Sequence, residues 1–498
     1  MRSLKSLLIF ASFVISIGSA SAADSTSKTT PQIIQPPVTT RHEITIGGQR
    51  VQYDATAGHL SLTQEDGTER ARIFFIAYTR TGTTDPATRP LTFSFNGGPG
   101  SSSVWLHMGV LGPRRVLLKD DGNALPPPGK LVDNDQSWLD MTDLVFIDPV
   151  STGYSRAAVG DKAKDFHGYN QDIESVGDFI RRYVSEYKRW ASPKYLIGES
   201  YGTTRASGLS AHLQQRYGMF LNGVILVSAV LNFQTLDFAE GNDLPPNLFL
   251  PSYTAAAWYH KKLGADLQAK PLADVLNEVR AFATGDYTVA LMKGDALQGT
   301  ERTAVVEKLA RYTGLSTQYI EATDLRVVIY RFCQELLRSS GRVIGRFDGR
   351  YTNPQVNPLS EYMENDPSYA PAVQGSYSTL VNDYLSRELN VRTNLPYEVL
   401  TGRVHPWDYS NAQNEYLNVA PRLRDAIVMN PDLRIWVLNG YYDLATPFFA
   451  TEHTFRHLGL PSSLRPNIDM TYYEGGHMMY LIKSELVKMK EDAKKFYR

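Results

Sequence analysis

From about His42 to Thr81, apolar and polar residues alternate in short runs: Glu43-Ile44-Thr45-Ile46, His59-Leu60-Ser61-Leu62 and Arg72-Ile73-Phe74-Phe75-Ile76-Ala77. Gly and Asp turn signals divide them, so the stretch predicts antiparallel strands with structure starting near His42. Beyond it the runs become wholly apolar, at Leu91 to Phe95, Leu144 to Ile147, Tyr195 to Ile197, Val224 to Val227 and Ile435 to Leu438, and alternate with helical segments. Strands buried on both faces read this way, and helices are the crossovers that parallel strands need. The expectation is an α/β fold with a mostly parallel central sheet. Asp172 to Trp190 is the clearest helix, with Ile173, Val176, Ile180, Tyr183, Val184 and Tyr187 recurring every 3.6 residues. Between Asn232 and Val404 the strand signal fades. Helical stretches near Tyr253 to Leu263, Leu272 to Ala283, Arg302 to Tyr312, Leu325 to Ser339 and Tyr377 to Leu389 predict an inserted helical cap over 233–404. That cap divides the core into 42–232 and 405–498, and Arg350 to Pro371, rich in Pro, Asn, Ser and Tyr, reads as a loop.

The N-terminus follows a different rule. Two positive charges in Met1 to Lys5, an apolar run Leu7 to Ile17 and small residues with an A-x-A pattern at Ala20 and Ala22 predict a secretory signal peptide over 1–22. A signal anchor is the competing reading, but the run is short of the ~20 residues that span a bilayer. Ala23 to Arg41, rich in Ser, Thr and Pro, is expected to be a flexible leader. No other segment is long and apolar enough to cross a membrane, so the expected location is periplasmic or extracellular. Of 498 residues one is cysteine, Cys333, and no N-x-[ST] sequon occurs, which points to a bacterial envelope rather than a eukaryotic secretory route. Cys333 lies on the stripe Leu325, Val328, Ile329, Phe332, Leu336 and reads as a buried thiol. A formal net charge of -1 argues against nucleic acid as a partner. Nothing in the pattern sets an oligomeric state.

Gly198-Glu199-Ser200-Tyr201-Gly202 is a G-x-S-x-G motif between the strand Tyr195 to Ile197 and the helical stretch Arg205 to Arg216. A strand-to-helix turn lifts the serine above the sheet, which makes Ser200 the candidate nucleophile. A hydroxyl is a weak nucleophile near neutral pH and needs an imidazole to take its proton and a carboxylate to hold that imidazole. Strand Ile435 to Leu438 runs into Asn439-Gly440-Tyr441-Tyr442-Asp443, and strand Ile468 to Tyr473 runs into Glu474-Gly475-Gly476-His477. Asp443 and His477 are the acid and base these positions predict. His453 and His457 lack the glutamate of a zinc-protease helix, His107 comes too early in the chain, and Asp148 precedes the serine and reads as a turn carboxylate. Asn96-Gly97-Gly98-Pro99-Gly100 follows the strand Leu91 to Phe95, so the N–H groups of Gly98 and Tyr201 are the candidate oxyanion hole. No metal or cofactor is called for.

Together the motifs resemble the serine carboxypeptidase family: Asn96-Gly97-Gly98-Pro99-Gly100-Ser101-Ser102, then Asp148-Pro149-Val150-Ser151-Thr152-Gly153-Tyr154-Ser155, the serine motif, Asn439-Gly440, Asp443-Leu444-Ala445-Thr446-Pro447 and Gly476-His477-Met478. The resemblance runs in order from about residue 90 to 480. It implies the α/β-hydrolase fold, a triad of Ser200, Asp443 and His477, and Asn96, Gly97 and Glu199 as substrate-binding residues. In it Asn96 and a protonated Glu199 hydrogen-bond the free C-terminal carboxylate of a peptide. Three departures stand out. Ser101 occupies a position where the family usually has cysteine, Val110 aligns with a second carboxylate-binding Glu, and Ser94 stands where a Trp is expected. The leading expectation is an exported serine carboxypeptidase that works through an acyl-enzyme. An esterase or acyltransferase with the same triad, and a non-catalytic binding protein on the same fold, are the alternatives.

Overall fold

Alternation near the N-terminus folds into three long antiparallel strands, β1 (Val38–Ile46), β2 (Gln49–Thr63) and β3 (Glu69–Arg80). The computed structural model describes residues 35–497, and the expected signal peptide with the first part of the leader lies outside the described residues. One boundary differs from expectation. Residues 38–41, assigned to the leader, are paired: Val38 sits opposite Ala57 and Thr39 opposite Thr56. Their Thr-rich sequence carries no apolar alternation, but β2 extends far enough to template them.

The apolar runs become β4 (Leu91–Phe95), β5 (Asp143–Ile147), β7 (Lys194–Glu199), β8 (Gly223–Val227), β9 (Arg434–Gly440) and β10 (Ile468–Tyr473), with a two-residue β6 (Arg156–Ala157) on β3. The sheet order is β1-β2-β3-β5-β4-β7-β8-β9-β10. From β5 to β10 every pairing is parallel, and β3 joins them antiparallel through β5. All side chains of β4, β5, β7 and β8 are buried. Each large aliphatic or aromatic chain so buried contributes about 1.5–3 kcal/mol. That core carries the described fold without a disulfide, since the single cysteine is free and buried.

Helices α1 (Tyr169–Glu186) and α2 (Tyr201–Tyr217) cover one face, joined there by α8 (Ala420–Met429). The opposite face is covered by α7 (Gly375–Arg387) and the C-terminal α10 (Lys483–Phe496). Between β8 and β9 the chain also forms α3 (Leu244–Tyr259), α4 (Leu272–Phe282), α5 (Gly299–Thr313) and α6 (Ile329–Glu335), which share a core with α9 (Phe448–Arg456). The helix expected over Asp172 to Trp190 runs Tyr169–Glu186, and two further helices depart from their predicted spans. α3 starts at Leu244 because Pro245 and Pro246 occupy its first turn, where a missing N–H costs nothing. α6 is only seven residues long because Asp324 and Leu325 take positive φ (47° and 64°) and break the stripe on which Cys333 lies. Cys333 itself is buried, and burial pushes its thiol well above the ordinary range. Thr352–Pro354 pairs with Arg342–Ile344, so part of the expected loop is a small ribbon. Among the described residues no helix is long and apolar enough to cross a membrane.

Candidate active site

Parallel strands bring their C-terminal ends to one edge. Phe95 pairs with Gly198, Glu199 with Val227, Val227 with Leu438, and Gly440 with Tyr473. The residues that follow β4, β7, β8, β9 and β10 therefore emerge side by side: Asn96, Gly97 and Gly98 follow β4, Glu199 ends β7 with Ser200 and Tyr201 after it, Asp443 follows β9 and His477 follows β10.

Ser200 sits between β7 and α2 with φ 59° and ψ −128°. A side-chain-bearing residue held there costs about 1–3 kcal/mol of backbone strain, offset by the burial of the strand and helix it joins. Its N–H donates to Val227 O at 3.0 Å. The turn is tight enough that a Cβ on Gly198 would lie 2.0 Å from Gly202 O, so glycine is obligatory there. The β4 loop lies directly against it, since a Cβ on Gly97 would approach Ser200 Cβ to 2.9 Å and Tyr201 N to 2.5 Å. Gly98 follows with φ 102°. Tyr201 opens α2, so its N–H is among those at a helix start that lack an intrahelical acceptor.

Beneath the loop, the buried Arg205 donates from Nη1 to Asn96 O at 2.6 Å and from Nε to Asp172 Oδ2 at 2.8 Å. Phe95 and Tyr201 flank its guanidinium at 5.3 and 5.5 Å from their ring centroids. Burial pushes the Asp172 carboxyl up, and Arg205 opposes that shift. Removing one member of such a pair strands the other charge. Asp172→Ala should therefore lower the unfolding free energy by about 3–5 kcal/mol in urea denaturation.

His477 Nδ1 lies 2.8 Å from Asp443 Oδ2, and both groups are buried. An ionised carboxylate only accepts, which places the proton on Nδ1 and leaves Nε2 as a base. Asp443 is itself fixed: Oδ1 accepts the N–H groups of Ala445 (2.8 Å) and Thr446 (2.9 Å), and the Thr446 hydroxyl donates to Oδ2 (2.8 Å). The His477 loop is fixed by its N–H to Phe347 O (2.6 Å) and by Ser228 Oγ donating to His477 O (2.7 Å). Ser228 directly follows Val227, the acceptor of the Ser200 N–H, so one dipeptide ties the serine turn to the histidine loop. Phe347 also packs on the imidazole, with ring centroids 5.0 Å apart.

Next to Ser200, Glu199 is buried, with Oε1 accepting from Asn96 Nδ2 at 3.0 Å and Oε2 from Tyr480 Oη at 2.5 Å. Burial pushes its carboxyl up to about 7, against the opposing effects of His477, Tyr480 and Asn96. Asn96 Oδ1 accepts the Leu106 N–H at 3.2 Å, which orients the amide so that Nδ2 faces Glu199. The edge thus presents a carboxyl able to hold a proton near neutrality beside a hydroxyl and a carboxylate-bound imidazole.

The other candidates lie apart from this cluster. His107 is buried and bonded through Nε2 to Tyr78 Oη at 2.7 Å, and burial lowers it to about 3. Asp148 braces the loop after β4 from behind, its Oδ1 accepting Ser103 N and Oγ at 2.8 Å each. His453 and His457 lie at the end of α9 with tilted rings, their centroids 4.1 Å apart. Val110 and Ser94 are fully buried. Ser101 Oγ accepts from Trp105 Nε1 at 2.8 Å and donates to Ser102 O, and the residue bridges to Leu400. The sequence did not reveal Tyr480, Thr446, Ser228 or Phe347. Thr446 lay within a motif already singled out, and its Asp-x-x-Thr spacing is a turn signal. Tyr480 carried none.

An α/β-hydrolase architecture with a serine on its strand-to-helix turn defines the class. A family model described as serine carboxypeptidase matches residues 47–486, and the chain belongs to that family. Pheromone-processing carboxypeptidase KEX1 of Saccharomyces cerevisiae is 34% identical over 156 residues, 29% of this chain and 20% of that protein. The chain thus aligns with about a fifth of the length of that yeast relative. Serine carboxypeptidase 24 of Arabidopsis thaliana is 21% identical over 428 residues, 84% of this chain and 80% of that protein. The crystal structure of KEX1(delta)p, a prohormone-processing carboxypeptidase from Saccharomyces cerevisiae, superposes with a TM-score of 0.54 at 18% identity, covering 89% of this chain and 91% of that one. That likeness shows the shared fold.

Proposed function

We propose that the protein is an exported serine carboxypeptidase that removes C-terminal residues from peptides through an acyl-enzyme. Ser200 Oγ attacks the last peptide carbonyl while His477 Nε2 takes its proton, and Asp443 holds the imidazole in the required tautomer. The N–H groups of Gly98 and Tyr201 receive the oxyanion. His477 then returns the proton to the leaving nitrogen, and water attacks the acyl-enzyme by the same route in reverse. The leaving residue's free carboxylate meets Asn96, the Gly97 N–H and a protonated Glu199. Within the insertion 233–404, the part that carries Phe347 caps this edge, with Phe347 against His477. Export rests on the sequence of Met1 to Ala22, and the proposed location is periplasmic or extracellular.

The observation that carries this reading is the buried Glu199, bonded to Asn96 and adjacent to Ser200 in the chain. Its burial suits a proton-sharing contact with an anionic carboxylate, which an ester substrate would not need. Hydrolysis of an N-blocked dipeptide with a free C-terminus should exceed that of its C-terminal amide and be lost in Ser200→Ala. Ester cleavage with the free acid untouched would move the function to an esterase or acyltransferase. No turnover of any of the three, together with no labelling by a fluorophosphonate, would favour a binding protein.

A pH dependence follows. Glu199 holds a proton below about 7 and loses it above. An ionised Glu199 repels the substrate carboxylate, so KM for the free acid should rise as pH climbs through about 7, by up to about tenfold per unit. Glu199→Gln, whose amide donates at every pH, should abolish that rise. A KM independent of pH from 5 to 9 in the wild-type protein would contradict the assignment.

A further inference from the structure

Glu199 has a partner that the proposed reaction does not use. Tyr480 follows His477 by three residues, in the short turn Met479–Leu481, and is fully buried. Its Oη donates to Glu199 Oε2 at 2.5 Å, while Asn96 occupies Oε1, so each carboxyl oxygen has one protein donor. The ring has no freedom to leave. A Cβ on Gly109 would stand 2.5 Å from Tyr480 Cε2 and 3.0 Å from Tyr377 Oη, so only glycine admits both tyrosines. Tyr377 is in turn packed on Trp105, with ring centroids 5.0 Å apart, and Trp105 is bonded to Ser101 in the oxyanion loop. The next residue, Val110, is apolar and offers Glu199 no proton. The second donor to this carboxyl is therefore a phenol.

We propose that Tyr480 is a positioning residue of the carboxylate-binding site: its hydroxyl holds Glu199 Oε2 and sets the pH range over which Glu199 can meet a substrate carboxylate as a donor. This rests on the carboxypeptidase reading above. A hydrogen bond from a neutral donor to a carboxylate is stronger than one to a carboxylic acid, so the phenol favours ionised Glu199 and opposes the effect of burial. Burial holds the phenol itself far above its ordinary range, which keeps it a donor at every working pH. The other groups that face Glu199 are His477, which also favours its ionised form, and Asp443 and Tyr377, of which Asp443 disfavours it. The side chains hydrogen-bonded to the carboxyl are Tyr480 and Asn96.

The test is the pH profile of KM for an N-blocked dipeptide with a free C-terminus. In Tyr480→Phe the rise in KM should move to higher pH by about one unit or more, the size expected for losing one charge-assisted hydrogen bond. A variant carrying 3-fluorotyrosine in place of Tyr480 keeps ring and hydroxyl but donates more strongly, and its rise should move to lower pH. It decides the question if the phenylalanine variant does not fold, as judged by fluorophosphonate labelling of Ser200. A merely structural Tyr480 would change kcat and KM at every pH and leave the midpoint in place, and that result overturns the inference. Loss of the rise in wild-type protein overturns the carboxypeptidase reading itself, and an unmoved midpoint with the wild-type rise intact overturns only the role of Tyr480.

Discussion

Ser200→Ala should lower turnover of a free-acid dipeptide by about 10⁶-fold while leaving the fold intact. The size of the loss follows from the way the groups act as a unit. His477 is held by Asp443, Asp443 by two backbone N–H groups and Thr446, and none of this arrangement has another nucleophile to activate once Oγ is gone. On the proposed mechanism, what remains is substrate binding by Asn96 and Glu199 and the oxyanion donors, which together sustain a small rate above that in water. Stability should change little, because the strained backbone at 200 is set by Gly198 and the β8 contact rather than by the hydroxyl. The check is single-turnover hydrolysis with protein whose urea midpoint matches the wild type. A loss under about a hundredfold would remove Ser200 from the role of nucleophile.

How much of this is legible in the sequence depends on how local the signal is. The strands that end at Phe95, Glu199, Val227 and Gly440 are continuous apolar runs, and the groups that follow them are adjacent in sequence to glycine-rich turns, so position along the chain gave position at the sheet edge. Helix starts and stops were less legible. The start of α3 depends on prolines that are tolerated in a first turn, and the shortened α6 on two residues with positive φ, neither of which periodicity registers. Contacts set by tertiary packing were not legible at all. Tyr480 reaches Glu199 across 281 residues of sequence, only because Gly109 leaves room for its ring. Ser228 ties the serine turn to the histidine loop through a side-chain bond to a backbone oxygen, and no pattern marks such a bond. Phe347 reaches the imidazole from the insertion, at a position between the helical stretch expected to end at Ser339 and the loop expected from Arg350, where no pattern marked a contact with this edge.

Asp443→Asn is the second large effect, and here the structure dictates which way the new amide must point. The Oδ1 position receives N–H donors from Ala445 and Thr446, so the amide oxygen of asparagine is pinned there and its NH₂ group falls at the Oδ2 position. That NH₂ then faces Nδ1 of His477 at the place where a carboxylate oxygen stood 2.8 Å away. A donor opposite Nδ1 makes Nδ1 the acceptor and moves the imidazole proton to Nε2, which in the proposed mechanism is the nitrogen that takes the proton of Ser200. The base is present and correctly placed but in the wrong tautomer, and turnover near neutral pH should fall by about 10⁴-fold. The Thr446 hydroxyl, which donates to Oδ2 in the native protein, must turn to its other acceptor, Ser228 O at 3.1 Å, so the change leaves no buried donor stranded and the urea midpoint should stay close to the wild-type value. Fluorophosphonate labelling should slow in parallel with turnover, since both need a deprotonated Ser200. A loss under about tenfold, with labelling unchanged, would mean that His477 is oriented by its loop alone and that Asp443 is a structural acid.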